Sequence, residues 1–423
     1  MDVYVLNEEG NPLMPTSPAR ARLLLKDKKA RVVRKTPFTI QLTYKSKEYT
    51  QDLNLGIDPG SKTVGTAVRK NGTNKVVYAS EVELKNDTKR KMDRRRNYRR
   101  TRRNRKTRYR KCRFLNRTRK KGWLPPTLES KIASIKKEIK FIFSILPVTR
   151  VIFEYASFDI HKLTNSKVWG HWYQKGPKFH FENTKAYVLY RDNYKCQYCK
   201  GKSKDPRLEC HHVKFKSKGG TDKPTNLITL CETCHKKLHL EKITLTEKQL
   251  KACKNTVDAT QVSIISKRIF EFLVSGIKKK GFKLVRTYGY LTKIKRRLIH
   301  LNKSDVKDAI AITLPKKNRY KKELRDPIGK SNFYKKICVP KGDYRLTFGK
   351  RSEKKIVARG KYKGFRKFDV VKYLGQIYVI RGLMAPRYAF LMDNTFKQIK
   401  LLPLPKFESL IRLQGRSSCI VII

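Results

Sequence analysis

Leu53-Asn54-Leu55-Gly56-Ile57 alternates apolar with small or polar residues, and the alternation stops at Asp58-Pro59-Gly60. A period of two predicts a strand that ends on an acid and a Pro-Gly turn. Residues 64–68 and 76–82 repeat the pattern and predict two further strands of the same sheet. After Trp123-Leu124-Pro125-Pro126 the apolar period becomes helical, and an amphipathic helix is predicted to about Leu146. A buried strand at 150–153 then ends on Glu154. Farther along, the pattern predicts a helix over 258–279, a strand over 282–287 and a helix holding Asp305 and Asp308. The first fifty residues alternate around Asn11-Pro12-Leu13-Met14-Pro15 and read as a small strand-rich unit. The last hundred are basic and strand-like at 356–358, 370–371 and 377–380, and no internal repeat is visible.

Charge changes this picture. The 423 residues hold 102 Lys+Arg against 34 Asp+Glu, a formal net charge of +68. Self-repulsion on that scale opposes a compact state, so a polyanionic partner is the natural counter-charge. Between Lys89 and Lys121 there are twenty Lys or Arg, a single acid (Asp93) and no Pro or Gly. Those residues favour helix, but like charges four apart repel, so the segment is expected to be helical against a polyanion. No apolar run reaches the ~18 residues needed to span a bilayer, and the first ten residues carry no secretory pattern. Nucleic acid is therefore the expected polyanion, and the cytoplasm the expected location.

Of nine cysteines, four form two C-x-x-C pairs, Cys196/Cys199 and Cys231/Cys234, and the other five are scattered. Two such pairs separated by thirty-one residues offer four thiolates to one tetrahedral zinc in a reducing compartment. With every ligand used, that zinc is structural and folds a small module. Between the pairs lie Glu209-Cys210-His211-His212-Val213, Gly219-Gly220 and Thr225-Asn226-Leu227.

Asp58, Glu154 and Asp308 form a second constellation. Two of them close hydrophobic strands, and the third precedes Ala309-Ile310-Ala311-Ile312 in a helix. Acids in such settings are costly unless paired or metal-bound. Three carboxylates around a pair of hard divalent ions suit in-line attack of water on a phosphodiester.

Ile57-Asp58-Pro59-Gly60-Ser61, Ile152-Phe153-Glu154 and Asp308-Ala309 resemble, in order, the three split motifs of RuvC-type nucleases, which implies an RNase H-like fold. The cysteine-framed segment resembles the HNH (ββα-metal) motif. That resemblance implies His212 as the general base, His211 and His235 as ligands of a Mg2+ ion, and Asn226 as the residue that pins the loop orienting His212. With the Arg-rich segment and Pro12-Leu13-Met14-Pro15, the whole resembles the IscB family of transposon-encoded, RNA-guided nucleases. The match is specific to about residue 315 and weaker beyond it.

The implied architecture is α/β and multidomain: an RNase H-like RuvC core split in three, an inserted Arg-rich bridge helix, a zinc-stapled HNH module, and small β-rich N- and C-terminal domains. Its expected boundaries are 1–51 (N-terminal domain), 52–88 (RuvC part I), 89–122 (bridge helix), 123–165 (RuvC part II), 166–182 (linker), 183–250 (HNH), 251–320 (RuvC part III) and 321–423 (C-terminal region, reading RNA and a target-adjacent motif). The resemblance implies Mg2+ at both nuclease sites, a structured guide called omega RNA, double-stranded DNA as target and a monomeric ribonucleoprotein. In it the HNH site cuts the guide-paired strand and the RuvC site the displaced one. Arg94, Arg95, Arg96, Arg99, Arg100, Arg102, Arg103, Arg105, Arg108 and Arg110 are the expected nucleic-acid contacts.

One position departs from the family pattern. The last RuvC motif usually carries His three residues before the Asp, and Lys303-Ser304-Asp305-Val306-Lys307-Asp308-Ala309 carries Asp305 there. Either Asp305 substitutes as a metal or water ligand, or the site is slower or inactive. The competing reading is an autonomous homing or junction-resolving endonuclease that uses both sites without RNA.

Overall fold

The computed structural model describes residues 2–73, 75–104, 118, 122–158, 168–170, 178–179, 181–216, 220–247, 249–253, 257–315, 333–338, 362–384, 387–393, 397–399, 401–416 and 419–422. Arg105, Arg108, Arg110, Gly219 and the predicted strand at 356–358 lie outside them. The chain divides into two compact units, one made of Met1–Ser157 with Gln261–Ile423 and the other of Phe158–Thr260.

The first unit opens with β1 (Tyr4–Leu6), α1 (Pro18–Lys26), β2 (Ala30–Arg34) and β3 (Thr39–Leu42), whose strands pair in the order β1-β3-β2. The helix is absent from the sequence reading. It starts because the Ser17 hydroxyl accepts a hydrogen bond from the Arg20 amide and Pro18 occupies the first turn, a signal that the surrounding basic residues obscured. Next come β4 (Leu53–Pro59), β5 (Thr63–Lys70), β6 (Val76–Glu83), α2 (Thr88–Asn104), α3 (Pro126–Phe143) and β7 (Val148–Glu154). α2 is the described part of the Arg-rich segment, and Arg94, Arg95, Arg96, Arg99 and Arg100 are exposed on it.

The second unit contains α4 (Thr184–Arg191), β8 (Leu208–His212), a 3-10 turn (Pro224–Asn226), β9 (Leu227–Cys231) and α5 (Glu232–His239). β8 and β9 pair antiparallel, Leu208 opposite Cys231 and His212 opposite Leu227. α4 is bolted on by Arg191 and the buried Asp192. The Arg191 guanidinium donates to both Asp192 carboxylate oxygens (2.8 and 2.9 Å) and to the Pro224 and Leu227 carbonyls, while Asp192 accepts from the Thr229 amide. A bidentate pair of this kind fixes geometry as well as charge.

The chain re-enters the first unit through α6 (Val257–Lys280), β10 (Lys283–Thr287), α7 (Gly289–Leu298), α8 (Asp305–Thr313) and β11 (Phe333–Cys338). A C-terminal sheet follows, β12 (Val370–Tyr373), β13 (Gln376–Met384), β14 (Tyr388–Met392) and β15 (Ile411–Gln414), before β16 (Cys419–Ile422). The central sheet has the order β10-β7-β4-β5-β6-β11-β16. β4, β5 and β6 are antiparallel neighbours, while β7 and β10 run parallel to β4. β11 and β16 come from the region expected to be a separate C-terminal domain, yet they extend this sheet beyond β6. Among the described residues, only these two strands of the region expected at 321–423 join the central sheet, whereas β12, β13 and β14 pack around a separate core of Val371, Ile380, Leu391 and Phe407.

Period-two alternation decides what the sheet presents on each side. Leu53, Leu55 and Ile57 of β4, with Val151 and Phe153 of β7, enter the main core beside Ile132, Ile135 and Ile139 of α3 and Ile265 and Ile269 of α6. Gly56 and Asp58 face the other way, toward α8. That helix lies so close that a Cβ on Gly56 would stand 2.2 Å from the Ala309 carbonyl oxygen, and one on Gly65 1.9 Å from that of Asp305. Only glycine lets the helix backbone rest on the sheet there.

Candidate active sites

In the second unit β8 and α5 converge on three imidazoles. His211 is buried on β8, and His235 and His239 lie four residues apart on one face of α5. One ring nitrogen from each lies within 4.8 Å of the others. The Glu209 carboxylate sits 2.5 Å from His235 Nδ1, which directs Nε2 of that ring toward His239 Nε2, 3.1 Å away. A carboxylate behind a ligating histidine is a common supporting arrangement, because it fixes the tautomer and raises the basicity of the other nitrogen. Burial, then the neighbouring His235 and His239, pushes the His211 pKa down to about 4, so its ring is neutral near pH 7, as a metal ligand requires.

The donor set fits a divalent ion, with one revision to the sequence reading. His239 was missed, although the H-x-x-x-H spacing of His235 and His239 on a helix was the available signal. Three nitrogens suit zinc or another first-row transition ion better than the Mg2+ expected there, which prefers oxygen.

His212, next on β8, points away from this cluster. Its Nε2 is 2.7 Å from Asp222 Oδ1, and because a carboxylate only accepts, Nε2 carries the proton and Nδ1 the lone pair. Asp222 is thus the third member that orients a candidate base, and nothing in the sequence singled it out. Asn226 holds the intervening loop at three points. Its side-chain oxygen accepts from the Lys214 amide (3.0 Å), and its Nδ2 donates to the Lys214 and Thr221 carbonyls (3.0 and 2.9 Å).

Cys196, Cys199, Cys231 and Cys234 bring their sulfurs within 4.8 Å of one another. Three are buried, and Ile228 and Leu230 pack against them. Four converging thiols in a module this small fit a structural zinc.

The first unit collects the carboxylates. Ile57 pairs with Phe153 in parallel register, so Asp58 and Glu154, one residue on, lie side by side on the α8 face. The Ser304 hydroxyl caps α8 by accepting from the Lys307 amide, which sets Asp305 and Asp308 three apart on its first turn. Burial, followed by Glu154, Asp305 and Asp308, holds the Asp58 carboxyl well above the ordinary carboxylate range. Glu154 and Asp308 are also raised, each chiefly by burial. Mutual repulsion in a buried site is what a bound cation would relieve, so the oxygen donors fit a hard divalent ion.

Present partners restrain three of the four acids. Thr292 donates to Glu154 at 2.5 Å, and Thr63 donates to Asp305. Arg296 of α7 brings Nε within 2.6 Å of Asp308 Oδ1, but the two atoms are not aligned as a hydrogen bond. Arg296 is a cation at this site that sequence patterning did not reveal, because it falls within the basic run Lys295-Arg296-Arg297.

Among the described residues no helix is long and apolar enough to cross a membrane. A family model described as RRXRR protein matches residues 3–176, and Arg99-Arg100-Thr101-Arg102-Arg103 reads as that pattern. A model described as HNH endonuclease matches residues 196–241, which contain the four cysteines and the histidine cluster. A stretch of 65 residues is 38% identical to the type IV methyl-directed restriction enzyme EcoKMcrA of Escherichia coli (strain K12), covering 14% of this chain and 23% of that protein. Streptococcus thermophilus Cas9, in complexes with the GGAA and AGAA PAM, aligns with TM-scores of 0.31 and 0.30 at 12% and 13% identity. The alignments cover 64% and 63% of this chain and 32% of Cas9, so the chain spans about a third of that protein and under a quarter of the restriction enzyme. The second unit of this chain therefore carries an HNH endonuclease domain.

Proposed function

We propose that this chain is an RNA-guided DNA endonuclease of the IscB type, with the HNH site cutting the guide-paired strand and the carboxylate site the displaced strand. The observation that carries this reading is two chemically distinct hydrolytic centres in one chain of net charge +68. The strand order β6-β5-β4-β7-β10, antiparallel then parallel, supports an RNase H-like RuvC core for the second centre. Asp305 turned toward that site supports it as a fourth carboxylate ligand in place of the usual His. Only twenty of the 102 basic residues lie in the Arg-rich segment, and so dispersed a charge suits a large RNA better than one DNA groove.

In the HNH site, His212 Nδ1 takes a proton from the attacking water while Asp222 stabilises the imidazolium that forms. Asn226 keeps the loop, and hence Asp222, in register with the ring. His211, His235 and His239 would hold a divalent ion, which would supply positive charge to the scissile phosphate and the leaving oxygen. At the other centre Asp58, Glu154, Asp305 and Asp308 are the oxygen donors. Those carboxylates would hold a hard divalent ion, and Arg296, which stands against Asp308, would add a guanidinium able to meet a phosphate there.

Sequencing the RNA that co-purifies with protein made from its native flanking DNA tests the reading. One abundant species with a constant structured part is expected, and it should direct cleavage of a matching DNA. Heterogeneous RNA, or none, would overturn guidance. The stretch shared with a methyl-directed restriction enzyme favours a second reading, an autonomous endonuclease. RNase-treated protein that still cuts one defined sequence would establish that alternative.

A further inference from the structure

Away from both centres, the first unit contains a cavity of about 770 Å³ walled by β2 and the turn after it, α3, β11 and the stretch from β15 to β16. Its size falls in the range that encloses small ligands. Among the described residues five cations line it (Arg34, Lys35, Lys137, Lys336 and Arg412) against one acid, Glu138. That acid is already neutralised: Lys336 Nζ lies 2.8 Å from each of its oxygens, and Tyr78 and Ser80 donate to it from below. Arg34, Lys35 and Arg412 are thus the wall's remaining cations, beside the Lys137 side chain.

Arg34 is the least satisfied of them. Its guanidinium lies over the Phe141 ring, 4.7 Å from the centroid, and its Nη1 is buried with no hydrogen-bond partner. A donor withdrawn from water and left unmatched is costly, whereas an arriving anion would satisfy it with a charge-assisted bond. Beside it Val33, Pro37 and Leu413 supply apolar wall. A flat apolar group carrying a phosphate matches these features together, since nucleobases stack on aromatic and guanidinium planes while lysine and arginine hold phosphate.

We propose that this cavity is a nucleotide pocket, which receives an unstacked nucleotide of a bound strand with its phosphate at Arg34, Lys35, Lys137 and Arg412 and its base on the face of the Arg34 guanidinium turned away from Phe141. The pocket rests on the proposed function only for the source of the nucleotide, an RNA or a DNA strand.

The test uses full-length protein freed of nucleic acid by nuclease and high salt, then titrated separately with AMP, adenosine and inorganic phosphate. AMP should bind at least about tenfold tighter than either fragment, and Arg34→Met should lose about tenfold or more of that affinity. Lys137 is exposed, so Lys137→Glu tests the same site with little risk to folding and should also weaken AMP. Phosphate binding as tightly as AMP, or both variants binding AMP like the parent, would overturn the pocket. Photocrosslinking of the loaded complex, with 4-thiouridine in the RNA or 4-thiothymidine in the DNA, identifies the source. A crosslink to the segment around Arg34 or Lys137 from one strand supports the proposal and names that strand, and a crosslink from neither overturns it. Absence of a defined co-purifying RNA would sink guidance while leaving the AMP result standing.

Discussion

The two candidate centres differ in how their parts are gathered. The HNH site draws His211, His212, Asp222, Asn226, His235 and His239 from one short stretch, and the cysteines of the same stretch hold it together. The carboxylate site draws Asp58, Glu154, Asp305 and Asp308 from strands and a helix some 250 residues apart, and only the seven-stranded sheet brings them together. The first sets its imidazoles against carboxylates of its own, Glu209 and Asp222. The second is anionic, repels itself and borrows Arg296. One site sits on a scaffold whose four converging thiols fit a structural zinc, and the other on a sheet that gathers mutually repelling carboxylates.

Removing zinc should separate the two most sharply. Structural zinc contributes on the order of 10–16 kcal/mol to small modules of this kind, so chelation should unfold the second unit and leave the sheet of the first intact. Limited proteolysis with mass mapping would show cuts confined to residues near 196–235, and uniform resistance would remove the zinc reading. Next in size, His212→Ala should slow cutting of the guide-paired strand by roughly a hundred- to ten-thousand-fold and spare the displaced strand. Asp58→Ala should do the reverse, and gels with each strand end-labelled would expose any crossover.

Arg296→Met should leave Asp308 buried without its counter-charge, at a cost of about 3 kcal/mol in metal-free protein. Millimolar Mg2+ should recover much of that loss in denaturant titrations, and a variant as stable as the parent without metal would refute the role. The smallest effect concerns Asp58→Asn, which removes one repelling charge and should stabilise the metal-free protein by about 1 kcal/mol near neutral pH. Its sign follows from the raised pKa. Below the ordinary carboxylate range both states are protonated and the variants are equal. As pH rises toward the raised value, the parent falls behind because its folded state gives up the proton less readily. Equal pH profiles would contradict the repulsion.

The same contrast governs what was legible in the sequence. Ligand spacing reports a site whose residues are close along the chain, which is why the C-x-x-C pairs and the His211-His212 step could be read directly. His239 was equally local and was missed because the reading stopped at His235. The strand-end acids were legible as the ends of apolar strands and through resemblance to the split RuvC motifs, while the β4–β7 register that sets Asp58 beside Glu154 is a tertiary fact. Arg296 and Asp222 could not be read, because each acts through a tertiary contact that leaves no pattern. Nor could the membership of β11 and β16 in the central sheet, since short strands in a basic background look alike whichever sheet they join.

That late membership has a consequence for synthesis. The second unit is contiguous from Phe158 to Thr260 and can close as soon as those residues have emerged and found their ion. The central sheet cannot: β11 and β16, which cover its β6 edge, and Lys336, which neutralises the buried Glu138, all follow the rest of the sheet in chain order. Until they arrive, β6 presents an open edge and Glu138 has the Tyr78 and Ser80 hydroxyls but no counter-charge from Lys336, in a nascent chain rich in cations. The earliest half of the molecule is thus the last to be finished, and the interval exposes that half to whichever polyanion or chaperone reaches it first.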